Sequence, residues 1–170
     1  MVKSQLEKPD ALGPLFPAFE NLLGDLQRHA GDAVGAAKAY QNTKRSAEEM
    51  VRAQPDNPDF LIALAWAEAC LGEKDAALAH AKRATEARPS SKDAVLGPGY
   101  EDALARIQAH FGEKDKAIAA LQHLLSISYA SPVTPALLRI DPDWDPLRGD
   151  PRFEKIVASF APKLMSGERP

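Results

Sequence analysis

The sequence predicts an all-α protein, a single domain over residues 1–170 built as a stack of helical hairpins with an irregular C-terminal cap and helix. Three observations lead there. LGEKDAALAHAKRA at 71–84 and FGEKDKAIAALQHL at 111–124 repeat nearly the same wording, and self-similarity at a period of about 40 residues marks stacked repeats. A looser copy, HAGDAVGAAKAY at 29–40, keeps the glycine and the alanines. In all three, a glycine (Gly31, Gly72, Gly112) follows an apolar-periodic segment and precedes an Ala-rich one. This is the pattern of a tight helix-turn-helix in which glycine ends the first helix. The hairpins are placed at 16–53, 58–89 and 98–127, and the cap at 131–162.

In the first hairpin, one helix starts at Phe16 or Phe19 and runs to Ala30; a second, longer one runs from Asp32 to about Ala53, where QPDNPD breaks it. The middle hairpin is the clearest. Leu61, Leu64, Ala65 and Ala69 fall at three- and four-residue steps on a helix over Asp59 to Leu71, with Pro58 near its start, where a missing amide hydrogen is harmless. The helix from Glu73 to Ala87 presents Ala77, Ala81 and Ala84, a face with little bulk that lets neighbouring helices nest. PSSKDAVLGPG at 89–99 reads as a loop, so the third hairpin is placed from Tyr100, with Leu104, Ile107 and Phe111 facing Ala117, Leu121 and Leu124.

Beyond Ser126 the repeat dissolves. TPALLRI reads as a short helix capped by Thr134 with Pro135 in its first turn. DPDWDPLRGDPRF reads as too rich in proline for regular structure. Asp150 and Pro151 open a last helix with an apolar stripe of Phe153, Ile156, Val157 and Phe160. The region reads as a cap over the open end of the stack, with Trp144 docking it onto the third hairpin and the aspartates pairing with Arg139 and Arg148.

A formal charge of −3 supplies no long-range attraction for phosphate backbones or anionic lipids, so no nucleic-acid partner is expected. No run approaches 18 uncharged apolar residues and MVKSQLEKPD has no signal-peptide core, so no membrane partner is expected either. The single cysteine, Cys70, excludes an internal disulfide and fits a reducing, cytoplasmic setting; it reads as an inert packing residue.

Chemistry-bearing patterns fail on geometry. Asp141, Asp143 and Asp145 alternate as calcium ligands do, but the sixth and twelfth positions of such a loop hold Pro146 and Arg152 instead of glycine and glutamate. His29, His80, His110 and His123 form no pair with metal-ligand spacing. GDAVG lacks the ending of a phosphate loop. No catalytic residue, metal or cofactor is expected, and the chain reads as not an enzyme.

The segment from Pro58 to Pro89 resembles a tetratricopeptide repeat, with Leu61, Leu64, Ala65, Gly72, Ala77, Ala84 and Pro89 at the positions where that family places a large residue, a Leu, a small residue, the turn Gly, two alanines and Pro. The third hairpin matches at Leu104, Ala105, Gly112, Ala117 and Leu121, with Leu124 and Tyr129 where Ala and Pro are usual. The first matches at Leu23, Gly24, Gly31, Ala36 and Tyr40, and departs at Thr43. The arrangement, LLRIDPDWDPLRGDPRF included, also looks like the C-terminal repeat region of multidomain bacterial proteins that carry a kinase, cyclase or winged-helix domain ahead of it.

The resemblance implies a right-handed α-α superhelix and a scaffold or protein-binding module that meets a protein or peptide partner along a concave groove formed by the first helix of each pair. Carried over by register, the groove residues are Asn21, Asp25 and Arg28, then Ile62, Trp66 and Cys70, then Asp102, Arg106 and His110. Trp66 is open to two readings, as an interface platform or as filler between Ala-rich helices. Exchange of Trp66 or Arg106 is expected to weaken partner capture with little loss of stability. The alternative is a structural, self-associating or regulatory segment of a larger signalling protein, a homo-oligomer; an enzyme or small-molecule receptor comes last.

Overall fold

The computed structural model describes residues 16–159. Three helix pairs follow one another: α1 (Phe16–His29) with α2 (Ala33–Ala53), α3 (Pro58–Cys70) with α4 (Lys74–Ala87), and α5 (Gly97–His110) with α6 (Lys114–Leu124). The ending consists of α7 (Pro135–Ile140), a 3-10 helix (Pro142–Leu147) and α8 (Pro151–Ala158).

The three glycine turns share one hydrogen-bonded form. Gly31, Gly72 and Gly112 take positive φ of 81°, 83° and 74°, a region L side chains resist. The residue after each glycine donates its N–H to the carbonyl five back: Asp32 to Gln27 at 2.9 Å, Glu73 to Glu68 at 2.9 Å and Glu113 to Gln108 at 2.8 Å. Each glycine N–H reaches the carbonyl three back. The paired bonds satisfy the last carbonyls of the first helix and turn the chain back.

Consecutive helices pack in order, and contacts also run from α1 to α3 and from α3 to α5. The first helices therefore stand in one row, and the architecture is that of a helical solenoid. Small residues make the stacking close. Ile107 of α5 is fully buried on Ala65 and Ala69 of α3 and Ala77 and Ala81 of α4. One pair earlier, Ala67 of α3 is buried on Ala36 and Tyr40 of α2.

At the far end Leu138, Trp144, Leu147 and Phe153 close over Ala117, Leu121 and Leu124 of α6, all buried. Trp144 is thus the anchor expected of it. Thr134 caps α7 by accepting the Leu137 N–H, and Asp150 caps α8 by accepting from Arg152. The expected Phe160 end of the last apolar stripe lies outside the described residues, as does the MVKSQLEKPD stretch.

Three expectations are corrected. GPG at 97–99 is the first turn of α5, not loop; a first turn has no internal partner for its N–H groups, so Pro98 is tolerated there. Gly97 also lies against the Ser90 backbone, where an added Cβ would come within 2.8 Å. PDWDPL, expected to be irregular, forms a 3-10 helix whose N-cap Asp141 accepts the Asp143 N–H. The aspartates divide their partners differently from expectation: Asp145 does pair with Arg148, at 2.6 Å, but Arg139 donates to the Val157 carbonyl, and Asp141 and Asp143 reach back across the stack.

Candidate functional site

A cavity of about 260 Å³ opens among the first helices, walled by Asp25 of α1, Ile62 and Trp66 of α3, and Asp102, Ala103, Arg106 and Ile107 of α5. Asp143 of the 3-10 helix forms its remaining wall. Helical spacing accounts for the convergence: residues four apart on one helix face the same way, and the glycine turns set the three helices in equivalent register.

Trp66 is half-buried. Its ring packs with the Ala65–Ile107 cluster and lines the cavity, while Nε1 donates to both carboxylate oxygens of Asp25 at 3.1 and 3.2 Å. Asp25 also accepts from the Tyr40 hydroxyl at 2.7 Å. Burial, then the bond to Asp25, pushes the Tyr40 phenol well above its ordinary value. Cys70 packs beside Tyr40, and burial pushes its thiol up to about 12, so it stays protonated and unreactive at neutral pH.

Arg106 is the hub of the opposite wall. Its Nε donates to Asp102 at 3.0 Å, one terminal nitrogen donates to Asp141 at 2.6 Å and lies 3.4 Å from Asp143, and the guanidinium sits 4.9 Å from the Trp144 ring centroid. Arg28 donates to Asp143 at 2.9 Å from the α1 side. Burial would lower both arginines, but Asp143 and Tyr40 beside Arg28, and Asp102 and Asp141 beside Arg106, outweigh it and hold them above their ordinary value. Burial raises Asp102 against the pull of Arg106.

Of the sequence-predicted set, Asp25, Ile62, Trp66, Asp102 and Arg106 meet around the cavity. Arg28 joins them through Asp143. His110 lies close enough to Arg28 that the positive charge, after burial of the ring, holds its imidazole below the ordinary value. Asn21 stands apart: it is buried and its amide donates to the Ala63 carbonyl at 2.9 Å, tying α1 to α3.

Asp143, a wall of the cavity, and Asp141, a partner of Arg106, were not among the expected residues. Their alternation is visible in the sequence, but nothing local says that a segment 115 residues from Arg28 reaches it. Wider hollows beside Lys44 and His123, of about 470 and 480 Å³, are open surface depressions without a Trp, Tyr or Phe wall. Among the described residues no group of three or more His, Cys, Asp or Glu is placed to hold a metal ion, and no helix is long and apolar enough to cross a membrane.

Over 104 residues the chain is 32% identical to cellulose synthase operon protein C of Komagataeibacter xylinus. The match covers 55% of this chain but 8% of that protein. No family model matches the chain, and no solved structure does.

Proposed function

We propose that the chain is a non-catalytic protein-interaction module of the tetratricopeptide type, and that an extended segment of a partner lies along the row of α1, α3 and α5 with one side chain in the Trp66 cavity. The observation that carries the reading is the cavity itself. At about 260 Å³ it falls below the roughly 300–1,000 Å³ of small-molecule sites, a size that suits a single side chain. An indole wall with apolar neighbours is the kind of pocket in which interface anchors sit.

The lining also favours an apolar or basic side chain over an acidic one. Asp25, Asp102 and Asp143 outnumber Arg106, whose guanidinium is already committed to carboxylates. The likeness to part of a much longer protein, cellulose synthase operon protein C, supports the alternative, a segment of a larger protein.

The test is affinity capture from source-cell lysate with the unmodified chain, Trp66→Ala and Ala103→Arg, the last filling the cavity from its rim. The groove reading expects a partner that both variants lose while their circular dichroism remains that of the parent. A partner retained by Ala103→Arg would remove the cavity from the interface.

A further inference from the structure

Leu26, Ala67 and Ile107 each stand five residues ahead of a turn glycine, and so hold one structural position in α1, α3 and α5. Ala67 and Ile107 are 0% exposed because each is pressed onto the hairpin before it. Leu26 is 61% exposed, and so, at 54%, is Leu22, the counterpart of Ala63 and Ala103. The cap covers the other end of the stack with Trp144 and Phe153. The apolar positions of α1 thus continue an interface that the molecule has already built twice.

We infer that this face of α1 is a stacking site for a further helical hairpin, one that presents a floor of small residues to Leu26. Size matching in the two existing interfaces specifies the floor. Where the floor contains Tyr40, the residue entering it is Ala67; where Ala81 takes the place of Tyr40, the residue entering is the much larger Ile107. Interiors pack to near-crystal density, so a large knob requires a small floor. Leu26 is of Ile107 size and calls for the alanine kind. The partner surface is therefore a hairpin like α3–α4, with alanines at the places of Ala65, Ala69, Ala77 and Ala81. It does not depend on the reading of the Trp66 cavity.

The experiment supplies such a hairpin. Residues 57–96 are duplicated and inserted directly before Phe16 of the full chain, so that the copy joins α1 as α4 joins α5. The expected result is amide hydrogen exchange across α1 at least tenfold slower than in the parent. Ala81→Tyr in the inserted copy abolishes that protection, and adding Leu26→Ala to the same chain restores it. Unchanged exchange in α1, or an inserted Tyr tolerated opposite Leu26, would overturn the inference, and so would loss of the parent fold as read from Trp144 fluorescence. Sedimentation of the unmodified chain is the companion measurement: a monomer is expected, and a dimer broken by Leu26→Glu would make a second copy the occupant and overturn the hairpin.

Discussion

The Arg106 guanidinium touches three carboxylates and one indole, and for that reason its removal acts on the whole ending. Arg106→Gln leaves Asp102 and Asp141 without a cation and Asp143 with Arg28 alone. Breaking a fully buried pair costs about 3–5 kcal/mol; Arg106 keeps 21% side-chain exposure, and about 2 kcal/mol is expected after allowing for solvent screening. A lower urea midpoint with a red shift of Trp144 emission would show it, whereas an unchanged midpoint would make the clamp ornamental. This revises the expectation that exchange of Arg106 costs little stability. Glu68, 3% exposed, has a different dependence. Burial raises its pKa above the ordinary 4.5, against the pull of His80 at 2.8 Å. In the window just above 4.5 the folded state holds more protons than the unfolded one, so this contribution makes stability fall as pH rises. Glu68→Gln should flatten that slope in thermal melts taken from pH 4 to 7; an unaltered slope would mean that other carboxylates carry it.

Between the second and third hairpins the stacking sets one knob, Ile107, on a floor of alanines. Ile107→Ala leaves a hole that Ala65, Ala69, Ala77 and Ala81 have no bulk to fill, and about 3 kcal/mol of destabilisation is expected from chemical denaturation. A loss under 1 kcal/mol would indicate that the pairs slide together to close it. The hairpins themselves were legible in the sequence, because a turn glycine, a three- and four-residue apolar step and an alanine face are local signals. The start of α5 was not: glycine and proline forbid a helix interior but not a first turn, and only the close approach of Ser90 decides which applies. Likewise the 3-10 helix of PDWDPL is held by the Asp141 cap and by Trp144 burial, a tertiary cause invisible to propensity. Cavity residues were readable as far as register carries, which is to Asp25, Trp66 and Arg106. Asp143, which reaches the cavity from the ending, was beyond it.

At the scale of the molecule, stability comes from neighbours, as contacts run from each helix pair to the next. Trp144→Ala should therefore cost about 3–5 kcal/mol and loosen α6 ahead of α1, an order that residue-resolved hydrogen exchange would report; simultaneous loss everywhere would mean that the stack melts as one unit. Among the described residues, an ion pair departs from the neighbour rule. Arg28 on the first hairpin holds Asp143 on the ending, and Asp143 also leans on Arg106. In mechanical terms this ion pair is a strap from the first hairpin to the ending. Parting the two stretches the strap, so their separation is tied to a charge interaction that salt can slacken. Raising ionic strength from physiological to 1 M shortens the screening length from about 8 to about 3 Å. Small-angle scattering should then find the molecule longer in high salt and insensitive to salt once Asp143 is replaced by Asn.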